Sequence, residues 1–126
     1  MSKRILIVED KEDLRAILRD YLMASGYEVV EAVDGVEAVA LARSEHPDLI
    51  LMDIQLPNLD GYEATRLIKG DPSVGSTQII AVSSFAMRGD EEKARASGCD
   101  GYVTKPYSPV KLLAMIRSIL AEDGAG

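Results

Sequence analysis

Charged side chains stand at the ends of three short apolar runs in this 126-residue chain. Asp53 ends one run, the pair Glu9 and Asp10 ends a second, and Lys105 ends a third. Such runs predict buried strands, and the carboxyl ends of parallel strands meet at one edge of a sheet, where ligands bind. Carboxylates gathered there repel one another, which favours a bound divalent cation such as Mg²⁺. A cation and a lysine beside an aspartate suit phosphoryl transfer to that aspartate.

Strand and helix patterns alternate around these residues. Strands are predicted at 4–8, 28–32, 49–52, 79–82 and 101–104. A helix is predicted after each strand. The first carries an apolar stripe at Leu14, Ile17, Leu18, Tyr21 and Leu22, and the second is capped by Asp34 and ends before His46. The third and fourth span 62–69 and 90–97, and the last starts at Ser108 and Pro109. The stripe on the first helix is expected to face the core.

This alternation predicts an α/β fold. Five strands and five helices suit a parallel sheet of order 2-1-3-4-5 in a flavodoxin-like three-layer sandwich. The run 49–52 is apolar on both faces, as in a sheet covered by helices on both sides. This order places strands 1 and 3 side by side, so Glu9, Asp10 and Asp53 should lie close together. One domain is expected over residues 1–121, with a flexible tail at 122–126.

Composition excludes several classes of protein. The net charge of -7 disfavours nonspecific binding to nucleic acid, which needs clustered lysine and arginine. No apolar run approaches the roughly 18 residues of a membrane helix, and the N-terminus lacks the pattern of a signal peptide. Cys99 is the only cysteine, so an internal disulfide is impossible and a reducing compartment fits. A cytoplasmic location is therefore expected.

Four segments of the chain resemble the receiver domain of two-component response regulators, the CheY-like family, over nearly the whole length. They are 7–10, 51–61, 81–84 and 102–106. The resemblance implies a stand-alone, single-domain regulator in which Asp53 is the phospho-acceptor. It also implies that Glu9, Asp10, Asp53 and the backbone carbonyl of Gln55 hold Mg²⁺, or Mn²⁺ in its place.

The resemblance assigns further roles. Ser83 takes the hydroxyl switch position, Tyr102 the aromatic switch position, and Lys105 contacts the phosphoryl group. A cis peptide bond between Lys105 and Pro106 is also implied. The surface of the fourth helix, fifth strand and fifth helix would change its partner preference on phosphorylation, and Phe85, Ala86 and Met87 are candidates for part of that surface.

The partners implied are a sensor histidine kinase or a histidine phosphotransfer protein, which donates from a phosphohistidine, and a downstream protein target. Family analogy gives the first helix near residues 14–18, with the following loops, as the docking face. The protein would act by binding, with only slow self-catalysed phosphotransfer and autodephosphorylation, as a monomer or weak dimer. The alternative is a phosphorelay shuttle that passes the phosphoryl group to a downstream phosphotransfer protein.

Three other functions are weighed against that of a receiver domain. A phosphohydrolase of the haloacid dehalogenase type needs a second aspartate where this chain has Gln55, which cannot transfer protons. A flavin or nucleotide binder on the same fold would carry a glycine-rich phosphate loop, and none occurs. A degenerate receiver that only docks partners would not need the complete set of acids, hydroxyl and lysine.

Each of the chosen residues also has an ordinary structural interpretation. Asp10 could cap the first helix, Lys105 could be a solvated lysine, and Ser83 could bond the backbone at a strand end. Tyr102 could be a half-buried packing residue. Among the remaining residues, Tyr62 is expected at the surface or at a helix start, and Cys99 is expected to be a small buried residue without a redox role.

Overall fold

Five parallel strands alternate with five helices in this computed structural model, which describes residues 3–84 and 89–120. The strands are β1 (Arg4–Val8), β2 (Glu28–Ala32), β3 (Leu49–Asp53), β4 (Gln78–Ser83) and β5 (Gly101–Thr104). The helices are α1 (Glu12–Ala24), α2 (Gly35–Glu45), α3 (Gly61–Lys69), α4 (Asp90–Ser97) and α5 (Pro109–Leu120). The predicted α/β class is confirmed.

The sheet has the order β2-β1-β3-β4-β5, which confirms the predicted topology. Val8 pairs with Met52 between β1 and β3, and Asp53 pairs with Val82 between β3 and β4. Ser83 pairs with Thr104 between β4 and β5. All strands run in one direction, so their carboxyl ends form a single edge, called the rim below.

Two hydrophobic layers sandwich the sheet. The layer on one face joins α1 and α5 to residues such as Ile5, Leu51 and Ile80. The layer on the other face joins α2, α3 and α4 to residues such as Leu6 and Met52. All five residues of β3 are buried because helices cover both of its faces.

Aspartate side chains cap the N-termini of α2 and α3, whereas α1 has no side-chain cap. Asp34 caps α2 by accepting from the Glu37 N–H, and Asp60 caps α3 by accepting from the Glu63 N–H. At α1 the cap residue is Lys11, whose side chain makes no cap hydrogen bond. The alternative role of Asp10 as the cap of the first helix is therefore wrong, and Asp10 stays exposed at the rim.

The apolar stripe of α1 is only partly in the core. Leu18 and Leu22 are buried, as predicted, but Leu14 is 40% exposed and Ile17 is 67% exposed. Both exposed residues line a groove between α1 and the segment that connects β5 to α5. Helical spacing identifies an apolar face but does not reveal whether a neighbouring element covers its whole width.

Tyr62 lies at a helix start, as predicted, but not at the surface. Only 9% of the residue is exposed, and it belongs to the hydrophobic layer under α2, α3 and α4. The Lys93 amine lies 4.8 Å from the centre of the Tyr62 ring, a cation–π contact between α4 and α3. Burial, and next the charge of Asp90, raise the pKa of the Tyr62 phenol.

Cys99 is a buried packing residue, as predicted. It is 6% exposed, and its sulfur lies 3.8 Å from the Thr65 hydroxyl oxygen and 3.9 Å from the Ser97 hydroxyl oxygen. Burial raises the pKa of the Cys99 thiol, which keeps it in the unreactive neutral form.

Among the described residues, no helix has the length and apolar character that crossing a membrane requires. Phe85, Ala86 and Met87, the candidates for a recognition surface, lie outside the described residues, as does the predicted tail at 122–126. The proposed limits of the domain and tail remain predictions.

Candidate functional site

Three acidic residues meet at the rim. Glu9 comes one residue after the Val8–Met52 pair, which sets it beside Asp53 at the end of β3. One carboxylate oxygen each from Glu9, Asp10 and Asp53 lies within 4.8 Å of the other two. Glu9 is 6% exposed and Asp53 is 4% exposed, whereas Asp10 faces solvent. Two buried carboxylates and one open to water therefore share a small volume.

The chemistry of these oxygens fits a hard divalent cation. Carboxylate oxygens are preferred ligands of Mg²⁺, and two of its ligands on opposite sides lie about 4.2 Å apart. The three carboxylate oxygens lie within 4.8 Å of one another, so small side-chain movements would bring all three onto one ion. Because Asp10 is exposed, a cation held here would keep water on one side. The residues present therefore fit the Mg²⁺ predicted from the sequence.

Lys105 contacts both buried acids and offsets part of their charge. Its Nζ lies 2.7 Å from Glu9 Oε1 and 3.2 Å from Asp53 Oδ2, and its side chain is 19% exposed. Burial alone lowers the pKa of Lys105, but the hydrogen bond to Glu9 and the charges of Asp53 and Glu9 outweigh it and raise the pKa above its usual value. Lys105 is therefore charged at neutral pH and is not a solvated lysine.

Asp53 is held in one orientation by two donors. Its Oδ1 accepts from the Gln55 backbone N–H at 2.9 Å, while Oδ2 faces Lys105. The next residue, Ile54, donates its N–H to the Val82 carbonyl at 3.0 Å and so continues the pairing with β4. The carboxylate thus has one oxygen tied to its own loop and the other beside a cation.

Gln55 connects Asp53 to the loop that follows β4. Its side-chain Oε1 accepts from the Ser84 N–H at 3.1 Å, across the rim from β3 to the end of β4. Its backbone carbonyl is the predicted fourth protein ligand for the cation, and that assignment stays a prediction. The side-chain contact was not predicted, because nothing near Gln55 in sequence indicates that its amide reaches β4.

The two predicted switch residues lie on β4 and β5. Ser83 is fully buried at the end of β4, next to Ser84. Tyr102 is half-buried and packs against the hydrophobic layer under α2, α3 and α4. The Lys105–Pro106 peptide bond is cis, as the resemblance implied. The structure thus brings the predicted site residues to one end of the sheet, and the function of each remains to be assigned.

An arginine that the sequence analysis missed fixes the backbone of the acid pair. Arg15 on α1 donates to the Glu9 carbonyl at 2.8 Å and to Glu31 Oε1 on β2 at 2.9 Å. Its side chain is 14% exposed. The Glu9 N–H also donates a hydrogen bond to the Ala32 carbonyl at 3.1 Å. A charged residue on an inward-facing helix position, with an acid on the neighbouring strand, is the signal that could have revealed this pair.

A groove opens beside the rim. It has a volume of about 500 Å³ and runs between α1 and the β5–α5 connection. Its walls are largely apolar, and the mostly buried Glu9 and Lys105 line it as well. The apolar lining consists of Leu14, Ile17, Leu18, Tyr21, Pro106, Tyr107 and Pro109. The groove therefore leads from an exposed apolar face of α1 to the charged site.

Comparison with known proteins gives a consistent family. The sequence profile of the response regulator receiver domain matches residues 5–117. The chain is 47% identical over 122 residues to the polar-differentiation response regulator DivK of Brucella ovis, an alignment that covers 97% of this chain and 99% of that protein.

Solved structures agree with the sequence matches. The receiver domain of the sensor histidine kinase PA1611 from Pseudomonas aeruginosa, solved with a magnesium ion in its active site cleft, is 34% identical with a TM-score of 0.89. That similarity covers 97% of this chain and all (100%) of the other. The chemotaxis protein CheY4 of Vibrio cholerae is 27% identical with a TM-score of 0.88, over 94% of this chain and 99% of that one.

Proposed function

The chain belongs to the response regulator receiver family of two-component signalling, and from this we propose that it accepts a phosphoryl group on Asp53 and then changes its partner-binding surface. The observation that carries the proposal is the contact of Lys105 Nζ with both Glu9 and Asp53, in a group of acids that fits a divalent cation. A buried acceptor aspartate, a cation site and a lysine are the components that phosphoryl transfer to a carboxylate requires.

In the proposed reaction an Asp53 carboxylate oxygen attacks the phosphorus of a phosphohistidine. The new O–P bond forms as the N–P bond to the histidine breaks, and the imidazole leaves with the electron pair of that bond. Bound Mg²⁺, held by Glu9, Asp10, Asp53 and the Gln55 carbonyl, would offset the negative charge of the phosphoryl oxygens. Lys105 turns from the Asp53 carboxylate to a phosphoryl oxygen, a short move because it already touches Asp53.

The proposed switch follows from the added charge. A phosphoryl group carries close to two negative charges, which attract hydrogen-bond donors. Ser83, buried at the end of β4, would donate its hydroxyl to a phosphoryl oxygen. The space that Ser83 leaves would admit the Tyr102 ring, which is half-buried in the resting state. The surface around α4, β5 and α5 would shift between two populations as a result.

The groove beside the rim supports a protein as the phosphoryl donor. We infer that the sensor histidine kinase or histidine phosphotransfer protein presents its phosphohistidine on a helix, because an apolar helix face packs well into a groove of this kind. Ile17 lies at the groove and is 67% exposed, so it offers apolar surface to such a partner. Because Lys105 lines the groove and also contacts Asp53, a helix seated there would bring its histidine close to Asp53.

The alternative function, a shuttle, uses the same groove in both directions. A phosphotransfer protein seated beside Asp53 could take the phosphoryl group as readily as a kinase could deliver it. The two functions are distinguished by mixing the phosphorylated chain with candidate phosphotransfer proteins. Rapid return of the label to a histidine supports the shuttle, and retention of the label on Asp53 supports a regulator that acts by binding.

Incubation with acetyl phosphate and Mg²⁺, followed by intact-mass measurement, tests the acceptor. The parent chain should gain one phosphoryl group, and Asp53→Asn should gain none. Asp60→Asn is the matched control, because it makes the same chemical change at the cap of α3 and asparagine caps a helix as well as aspartate does. Equal labelling of Asp53→Asn and the control would refute Asp53 as the acceptor, and steady turnover of varied phosphate esters would favour a hydrolase.

A further inference from the structure

The loop that follows Asp53 rests on the N-terminus of α2. This loop, residues 54–60 and here called the acceptor loop, connects β3 to α3 and carries the Gln55 carbonyl. Within it, the Gly61 N–H bonds the Ile54 carbonyl at 3.1 Å and the Leu59 N–H bonds the Pro57 carbonyl at 2.7 Å. These bonds define the internal shape of the loop but do not fix its position against the rest of the protein.

Asp34 supplies an external anchor. One of its oxygens, Oδ1, caps α2 by accepting from the Glu37 N–H at 2.7 Å, and the other, Oδ2, accepts from the Asn58 side-chain amide at 2.7 Å. The Glu37 N–H, and next the Asn58 amide, lower the pKa of Asp34. Asp34 therefore joins the first turn of α2 to the middle of the acceptor loop.

Gly35 allows the loop and the helix to touch. A Cβ at this position would lie 1.9 Å from the Leu59 carbonyl oxygen and 2.7 Å from its carbonyl carbon. No side chain fits at those distances, so the loop backbone lies directly against the helix backbone. Any larger residue would push the acceptor loop away from α2.

The backbone of Asn58 is itself specialised for this contact. Its φ of 67° lies in the left-handed region, which asparagine tolerates better than most residues. Asparagine therefore serves two purposes at one position: it makes the turn, and its amide reaches Asp34. Asp34, Gly35 and Asn58 form what we call the α2 clamp.

We propose that the α2 clamp positions the Gln55 carbonyl and the Asp53 carboxylate for Mg²⁺, so that Asp34 and Asn58 are positioning residues for phosphoryl transfer although neither belongs to the acid cluster. The inference rests on the proposed roles of Asp53 and Gln55. The Gln55 N–H holds Asp53 Oδ1 at 2.9 Å, so a shift of the acceptor loop moves the carboxylate and the carbonyl ligand together. Residues that orient metal ligands from behind commonly change metal affinity when altered.

Isosteric substitution of Asp34 and Asn58 tests the proposal. Asn58→Asp replaces the amide donor with a carboxylate that faces Asp34, and like charges repel. We expect the Mg²⁺ dissociation constant to rise about tenfold, as for other ligand-orienting residues. Simple electrostatics predicts the opposite sign, because an added carboxylate near a cation site strengthens cation binding. The direction of the change in Mg²⁺ affinity therefore shows whether displacement of the metal ligands or the added negative charge dominates.

The double variant Asp34→Asn/Asn58→Asp restores a donor and an acceptor with the parent net charge. Asparagine at position 34 can still cap α2, so we expect Mg²⁺ affinity to return close to the parent value. Calorimetric titration with MgCl₂ and the NMR shift of the Gln55 amide give readouts that do not depend on phosphorylation. Thermal unfolding of each variant verifies that it is folded.

Gly35→Ala provides a second way to displace the acceptor loop from α2. We expect weaker Mg²⁺ binding and a shifted Gln55 amide signal. Gly70→Ala is its matched control, because it adds the same methyl group at the end of α3, where the nearest atom is the Arg66 carbonyl oxygen at 3.1 Å.

The outcomes distinguish this inference from the proposed function. Mg²⁺ binding that is unchanged or tighter in Asn58→Asp would overturn the clamp while the parent chain still binds Mg²⁺ and accepts a phosphoryl group. A weakened Asn58→Asp that the double variant does not rescue would overturn the role of Asp34. A parent chain that binds no Mg²⁺ would overturn the proposed function, and the clamp with it.

Discussion

In the proposed function, Lys105 serves both stability and chemistry. In the resting protein its amine contacts Glu9 and Asp53, two carboxylates that are almost fully buried. A buried carboxylate without a partner is costly, so the lysine offsets a repulsion that the fold itself creates by gathering acids. A bound cation offsets the same repulsion. We therefore expect Lys105 and Mg²⁺ to compete for the same oxygens in the resting state and to act together only when phosphoryl oxygens are present.

This competition predicts opposite effects of Lys105→Met on binding and on transfer. We expect the metal-free protein to lose about 1.5–3 kcal/mol of unfolding free energy, the usual cost of a lost hydrogen bond to a charged group. Mg²⁺ should bind about tenfold tighter, equivalent to about 1.4 kcal/mol, because a competing charge is gone. Phosphorylation by acetyl phosphate should nevertheless slow. Denaturant unfolding with and without Mg²⁺, calorimetry and mass spectrometry measure the three effects.

Lys69→Met is the matched control for this prediction. Lys69 Nζ lies 2.8 Å from Asp100 Oδ2 and 2.8 Å from the Thr77 carbonyl, and its side chain is 21% exposed, close to the value for Lys105. These contacts lie at the opposite end of the sheet from the rim. A similar loss of stability with unchanged Mg²⁺ binding and labelling is expected. Weaker Mg²⁺ binding in Lys105→Met than in the parent would contradict the competition.

At the scale of elements, the sequence predicts what local patterns determine. The bounds of β1, β2, β5 and α4 agree with the predicted ones, because apolar runs, charged run ends and helix caps are local signals. The rim is also predictable, since parallel strands must end at one edge. Contacts between distant segments were missed: Asp34 bonds Asn58 across 24 positions, and Arg15 bonds Glu31 across 16. Polar pairs of this kind leave no periodic trace in the sequence.

Burial errors have the same non-local origin. Ile17 has the helical spacing of a core residue, yet the β5–α5 connection does not cover it. Tyr62 has a polar group and a position at a helix start, yet α4 covers it and places Lys93 over its ring. In both cases the deciding element is far away in the chain.

A polar connection between α2 and the α3–β4 loop gives stability that depends on pH. Asp71 accepts from the Ser73 N–H, from the Ser73 hydroxyl and from Arg43 Nε of α2. These contacts, the Ser73 N–H first, lower the pKa of Asp71 from 3.8 to about 2. Because the folded value is depressed, the carboxylate stabilises the fold above pH 3.8, and the contribution is lost as the pH falls toward 2.

Asp71→Asn should therefore lower the urea midpoint at neutral pH, and the difference from the parent should shrink as the pH falls from about 4 toward 2. Asp20→Asn is the control at neutral pH: its carboxylate is 73% exposed and pairs with Arg19, and exposed ion pairs contribute little. A midpoint difference for Asp71→Asn that stays constant down to pH 2 would show that Asp71 is not the titrating group.

At the scale of the whole molecule, charge and apolar surface are separated. The chain carries a net charge of -7, yet the groove beside the rim is walled mainly by apolar side chains. In the proposed function, a partner that docks there would contact this apolar surface together with Glu9 and Lys105. On this proposal, partner binding and phosphoryl transfer would use adjacent surfaces of different character, and a substitution on α1 would alter the first without altering the second.

This separation predicts a selective loss in Ile17→Glu. The added carboxylate should weaken docking of a helical phosphodonor and slow transfer from it by about tenfold or more, since burying an unpaired charge at an interface costs more than 1.4 kcal/mol. Labelling by acetyl phosphate, which needs no groove, should be unchanged. Met23→Glu is the matched control, because Met23 is also exposed on α1, at 56%, but does not line the groove. The measurement is transfer from the kinase that labels the parent chain fastest in a phosphotransfer screen. If Ile17→Glu and Met23→Glu slow that transfer equally, the groove is not where the donor binds.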